Sequence, residues 1–200
     1  NVMAQLSSEQ SAGRSTPGDP RLDYSPFDEV SDFLQAHQNY FPELEEEAES
    51  LRKDFGNDRI LGSGVLMKML EARVGIVTRI AEAPQGSSVV RRVSLEEKVL
   101  DVSPALTEQP LKFQIAATLG LLTLDKTRLV ERIVGAKTKH AETPRLIKVN
   151  LANYFAGALM LPYGDFFKEV QRTRYDIEAL TGVFGLTWEA VAHRVCNLAD

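Results

Sequence analysis

The sequence predicts an α+β fold, mainly helical, with a small β-sheet and an N-terminal helical region. Two observations carry that expectation. Apolar residues recur at helical spacing before Gly75 and again after Pro110, and between them the period shortens to that of strands. Two hundred residues with 44% hydrophobic content supply one sizeable core. No internal repeat is visible.

Residues 1–22 are rich in Ser, Gln, Gly and Pro and include Thr16-Pro17-Gly18-Asp19-Pro20. Such a composition buries too little surface to fold, so it predicts a disordered linker with something attached upstream. Residues 23–200 are then expected to form one domain. Ser25-Pro26 gives an N-cap and an N1 proline, and Val30, Phe33, Leu34, His37 and Phe41 follow at helical spacing. Leu44, Ala48, Leu51 and Phe55 line a second helix stopped by Gly56-Asn57. Leu66, Met69 and Leu70 line a third, opened by Ser63 and closed by Gly75. His37, on the apolar face, reads as a core or boundary residue.

Ile76–Ala81 and Val89–Ser94 are β-rich, and Pro84, Gly86, Ser87 and Ser88 between them predict a hairpin. Val99, Leu100 and Val102 suggest another short strand. Pro110 is expected to start a long helix, and Thr143-Pro144 to start another whose apolar stripe runs to Pro162. Further helices are expected at Tyr163–Thr173, Ile177–Phe184 and Trp188–Leu198.

Charge and cysteine content narrow the function classes. The net charge is −5, which disfavours nucleic acid as this chain's own partner. Residues 1–57 carry a balance of −8 and residues 58–200 one of +3, with seven basic and two acidic side chains from Lys126 to Lys148. That patch suits a small polyanion or is an ordinary solvated face. No apolar run approaches the ~20 residues of a membrane span, and no signal peptide is visible, so a cytoplasmic protein without membrane contact is expected. Cys196 is the only cysteine, which excludes an internal disulfide or an all-cysteine metal site.

The most informative segment is Phe113–Leu122, Phe-Gln-Ile-Ala-Ala-Thr-Leu-Gly-Leu-Leu. It resembles the active-site helix of small zinc peptidases of the ImmA/IrrE type, Phe-x-x-Ala-His-Glu-Leu-Gly-His-Leu. Ala117, Thr118 and Leu121 stand where those proteins have the first His, the Glu and the second His. Leu151–Pro162 likewise resembles the helix that donates their third ligand, with Leu151 at the ligand position. Alanine and leucine ligate nothing, threonine is no base at neutral pH, and His37, His140 and His193 lie on unrelated elements. The resemblance therefore implies a degenerate zincin-like domain, no enzyme, with no metal.

Five further runs extend the likeness: Asn153–Ala156, Leu159–Tyr163, Arg174–Ile177, Phe184–Leu186 and Val191–Arg194. Together they resemble the sensor region of actinobacterial short-chain fatty acyl regulators, the PrpR and RamB type. That resemblance implies transcriptional control of propionate, methylcitrate or acetate metabolism and an acyl-coenzyme A ligand. It also implies DNA contact through an upstream helix-turn-helix domain. An iron–sulfur cluster, associated with a more C-terminal region of that type, lies beyond a chain with one cysteine.

An acyl thioester needs an apolar pocket, for which Phe113, Leu121, Tyr154, Phe155 and Met160 are candidates. Its phosphates need cations. Arg91 and Arg92 sit on opposite faces of one strand, so either one enters the cavity or both decorate an exposed edge. Lys137, Lys139 and Arg145 form a second cationic candidate, and Thr118 is a polar candidate on the altered helix. Leu180–Val191 has the look of a helix-turn-helix reader, but Arg194 is the sole arginine from Asp176 to Leu198, which favours a packing module. A dimerisation or partner-binding module, with a homodimer as its form, is the alternative reading, and a residual hydrolase the remaining one.

Overall fold

The computed structural model describes residues 24–56, 58–81, 90–134 and 138–198. The expected linker, residues 1–22, lies outside them. Three helices open the fold: α1 (Pro26–Ala36), α2 (Pro42–Phe55) and α3 (Ser63–Val74). Strands β1 (Val77–Ile80), β2 (Arg91–Ser94) and β3 (Val99–Val102) follow. Then come α4 (Glu108–Thr127), the short α5 (Leu129–Val134), α6 (Thr143–Met160), α7 (Tyr163–Thr173), α8 (Ile177–Phe184) and α9 (Trp188–Val195). No helix among the described residues is long and apolar enough to cross a membrane.

Local chemistry sets the helix ends. Ser25 and Asp28 form a reciprocal capping box on α1, with Pro26 in the first turn. Gly75 closes α3 in the left-handed conformation at φ 73. Asp176 and Thr187 cap α8 and α9 through their side chains. The long helix α4 begins at Glu108, two residues ahead of the expected Pro110, because Thr107 holds the extended N-cap conformation and Pro110 is tolerated in the first turn.

The core lies between α4 and α6, the most closely associated pair in the fold. Helix α6 is apolar around most of its circumference, with Leu151, Phe155 and Leu159 fully buried. The pair approaches closely at Gly120: a Cβ there would stand 2.8 Å from the Ala152 carbonyl oxygen and 3.0 Å from Phe155 Cδ1. Helices α2 and α3 pack on α6 and α4 respectively. Arg52 of α2, buried, donates to the Leu159 carbonyl in the last turn of α6 at 2.7 Å and to the Asp58 carbonyl. It supplies positive charge where the α6 dipole is negative.

The sheet order is β1-β3-β2, which corrects the expected β1–β2 hairpin. β1 runs parallel to β3, from Val77↔Val99 to Ile80↔Val102. The hairpin is instead β2–β3, from Arg91↔Val102 to Ser94↔Val99, turned through Leu95–Lys98 with Lys98 at φ 54. Burial explains the order. Leu100 and Val102 of β3 are fully covered, so β3 takes the centre, whereas Ile80 of β1 is 64% exposed and tolerates an edge.

Candidate functional site

Register decides where the two adjacent arginines go. Arg91 shares a face with Val102, the face packed towards the helices, and Arg92 falls on the other face beside Asp101. Arg91 donates through one guanidinium nitrogen to the Gln114 carbonyl at 2.7 Å and to the Thr118 hydroxyl at 2.9 Å. The Thr118 hydroxyl in turn donates to the Gln114 carbonyl at 2.8 Å. Burial pushes the Arg91 guanidinium down to about 10, still protonated at neutral pH. Among the described residues no carboxylate pairs with it. Arg92 is exposed, and the neighbouring Asp101 is already held by Arg79, at 2.6 and 3.1 Å.

This arrangement does not fit a zinc ion. Ala117 and Leu151 are buried hydrocarbon at 2% and 0% exposure, and Leu121 is half-buried hydrocarbon. Thr118 offers one hydroxyl, committed to Gln114 and Arg91. A protonated guanidinium at that hydroxyl repels a cation where the peptidase pattern needs two imidazoles and a carboxylate. Among the described residues no group of three or more His, Cys, Asp or Glu side chains is gathered.

The second cationic candidate has a different environment. Lys137 lies outside the described residues. The backbone N–H groups of Lys139 and His140 donate to the Glu29 carboxylate of α1 at 2.5 and 3.2 Å. The Thr143 hydroxyl donates at 2.6 Å, and His140 Nδ1 lies 3.0 Å away. An internal carboxylate thus fills the anion position at the start of α6. Desolvation pushes Glu29 up, but the hydrogen bonds from Thr143, Lys139 and His140 outweigh it and hold the carboxyl at about 2. The Lys139 ammonium sits 4.4 Å from the Tyr24 ring centroid, and Arg145 is exposed. Thr143, read from sequence as a cap residue, is the first helical residue and gives its hydroxyl to Glu29; Glu142 is the N-cap.

The apolar candidates do not converge on one cavity. Phe155 is fully buried beside Gly120, Met160 is buried, and Phe113 and Leu121 are half-buried on α4. Tyr154 faces elsewhere, lining a cavity of about 140 Å³ with Leu34 of α1, Asn39 and Phe41 of the α1–α2 connection, and Asn150 of α6. His193, Cys196 and Asn197, at the end of α9, complete its wall. Behind it the Tyr154 hydroxyl donates to Glu45 at 2.5 Å and accepts from the Phe41 N–H at 3.3 Å. Burial first, and Glu45 second, raise the Tyr154 phenol well above its ordinary value.

Glu45 is also gripped by Arg194, fully buried, through two hydrogen bonds of 2.7 and 2.8 Å, while Arg194 Nε donates to the Leu161 carbonyl at 3.1 Å. The sequence reading had no place for Glu45 or for a buried Arg194. The signal was available: Arg194 follows Val191 by three residues on a helix, which places a charge on the buried face. Lys112 is a further buried cation, donating to the Gly185 carbonyl at 2.7 Å and tying the α8–α9 connection onto α4. With Arg194 and Lys112 both turned inward, the helix-turn-helix look of Leu180–Val191 belongs to a packed hairpin.

Fold and site together define a zincin-like domain whose ligand positions carry no ligands. The chain belongs to the IrrE N-terminal-like domain family, whose pattern matches residues 71–195. It is 34% identical over 175 residues to the HTH-type transcriptional regulator PrpR of Mycobacterium tuberculosis, covering 86% of this chain and 35% of that protein. It is 33% identical to the propionyl-CoA carboxylase regulator of Cereibacter sphaeroides, covering 87% and 36%, and 30% identical to the M. tuberculosis regulator RamB, covering 86% and 36%. A solved structure of a Mycobacterium tuberculosis transcriptional regulator superposes with a TM-score of 0.79 at 33% identity, covering 88% of this chain and 53% of that one. The chain thus spans about a third of the length of these curated relatives.

Proposed function

We propose that this chain is the effector-sensing domain of a transcriptional regulator of short-chain fatty acyl metabolism, and that its effector is an acyl-coenzyme A. The observation that carries the reading is Arg91 on Thr118. A guanidinium without a described carboxylate partner stands beside the altered helix and attracts an anionic group, whereas a peptidase centre needs a cation there. The relatives' names support control of propionate-related genes, with DNA contact left to a helix-turn-helix domain elsewhere in the longer protein. The role is binding without catalysis: Thr118 has no described base beside it, and its hydroxyl proton is committed to Gln114.

The test is thermal unfolding of the chain with propionyl-coenzyme A. Ligand at a hundredfold excess over its dissociation constant stabilises the folded state by about 2.7 kcal/mol. Arg91→Ala is expected to weaken binding by about 10- to 100-fold, the range for losing a hydrogen bond from a charged donor. An unchanged melting temperature with millimolar ligand would sink the proposal. The dimerisation reading has one observation in its favour: Val77 and Ile80 on the edge strand β1 are exposed, as is Leu95 in the β2–β3 turn. Sedimentation of the ligand-free chain as a monomer would set that reading aside.

A further inference from the structure

The free edge of β1 is built to pair with itself. The Val77 N–H donates to the Lys98 carbonyl and the Ala81 N–H to that of Val102, so alternate residues of β1 face β3. Thr78 and Ile80 direct their N–H and C=O groups the other way, and among the described residues nothing pairs with them. The edge carries none of the usual guards against pairing. Residues 76–80 contain no lysine and no proline, and the Arg79 guanidinium is already neutralised by Asp101 at 2.6 and 3.1 Å.

Two apolar features lie along this edge. Thr78 and Ile80 sit opposite Leu100 and Val102, which turns their side chains to the helix side of the sheet. Ile80 is nonetheless 64% exposed, an uncovered knob on the side where its neighbours are buried. At the start of the strand an open groove of about 400 Å³ is lined by Val74, Ile76, Leu95 and Leu122. The charges on its rim are committed, Asp125 to Lys148 and the Lys126 ammonium to the Arg73 carbonyl at 2.9 Å. Knob and groove are four residues apart, ~13 Å along the strand, with Thr78 midway.

We propose that β1 pairs antiparallel with β1 of a second copy of this chain, about a twofold axis at Thr78, and that Ile80 of each copy fills the groove of the other. In this register Thr78 bonds Thr78 of the second copy, and Ile80 stands opposite Ile76 on the same face. The contact is made twice, as in any isologous interface. The Thr78 hydroxyl, buried without a partner among the described residues, then lies opposite a second threonine. The neighbouring registers that keep Thr78 and Ile80 bonded set Arg79 against Arg79 or Ile80 against Ile80 and leave both grooves empty. Arg91 lies on β2, the opposite edge of the sheet, so the pairing leaves its contact with Thr118 uncovered and is independent of the effector reading. Five strand residues a side, against the ~20–30 of a stable interface, make the association reversible.

The experiment is sedimentation velocity of the ligand-free chain up to millimolar concentration, beside Ile80→Lys, with melting temperatures to show that both are folded. The wild type is expected to dimerise as its concentration rises. Ile80→Lys, a change at an exposed position, is expected to weaken the dimer by about ten- to hundredfold, the range for losing one buried isoleucine. Register is read by cross-linking in a Cys196→Ser background, which removes the only native thiol. Val77→Cys and Arg79→Cys chains are mixed and oxidised. The proposed register sets these positions opposite each other in a non-hydrogen-bonded pair, with Cα atoms ~4.5 Å apart, inside the disulfide range of ~4.4–6.8 Å. The mixed disulfide is expected to exceed the share that random coupling gives. A chain that stays monomeric at every concentration overturns the proposal, as does a mixed disulfide at the random share. A dimer indifferent to Ile80→Lys overturns the seating of Ile80.

Discussion

Arg91 of β2 donates to the Thr118 hydroxyl of α4 at 2.9 Å, which joins the sheet to the altered helix through a buried cation. Thr118→Glu would place a carboxylate on that guanidinium and neutralise it. The expected outcome is a chain that stays folded and binds propionyl-coenzyme A at least about tenfold more weakly, because an anionic ligand then meets a paired arginine. Calorimetric titration of the wild type and the variant measures this directly.

Glu29 joins α1 to the start of α6 across more than a hundred residues of sequence. Its carboxyl is lowered from 4.5 to about 2, so the stability it contributes is complete above pH 4.5 and is lost as pH falls towards 2. Glu29→Gln is therefore expected to melt below the wild type at neutral pH, with a gap that narrows below pH 4.5 and closes near pH 2. A gap independent of pH would mean that the charge on Glu29 contributes nothing.

Removing one member of the Glu45–Arg194 pair leaves the other buried without its partner. Glu45→Gln is expected to cost about 3–5 kcal/mol, lowering the melting temperature by roughly 10 °C or more. Tyr154→Phe removes a single hydroxyl that bonds Glu45 and the Phe41 N–H, and about 1–2 kcal/mol should go with it. Denaturant unfolding of both variants checks the ranking.

Two helical glycines offer a contrast. Alanine at either gains up to about 1 kcal/mol of helix propensity. At Gly120 the new methyl group meets the Ala152 carbonyl at 2.8 Å, where backbone has to move, and overpacking of about 1–3 kcal/mol outweighs the gain. At Gly157 it meets only Arg194 Cδ at an ordinary 3.7 Å. Gly120→Ala should therefore destabilise and Gly157→Ala stabilise, as read by chemical denaturation.

Helix spacing, proline caps and the zinc-peptidase frame were legible because each is local in sequence. Ser25-Pro26, Gly75 and the Phe113–Leu122 pattern all declare themselves within a few residues. Strand order was not legible, since β3 takes the centre by virtue of what Leu100 and Val102 meet in space. The cationic candidate at Lys139 has the opposite difficulty. The Lys139 and His140 N–H groups are the right donors for an anion, but Glu29, remote in sequence, accepts from them. Alternation along a strand puts Arg91 and Arg92 on opposite faces without saying which is inside, so the inward direction of Arg91 comes from the register with β3.

The Glu45–Arg194 pair separates its members by 149 positions in the chain. At a synthesis rate of ~5–20 residues per second, Glu45 is made roughly 7 to 30 s before its partner. Helix α2 must wait through that interval with a carboxylate and an apolar face uncovered, while α4 and α6 assemble around local contacts. Closure of the pair is thus a late, high-contact-order event, and nascent chains halted before residue 194 should remain open to proteases at α2.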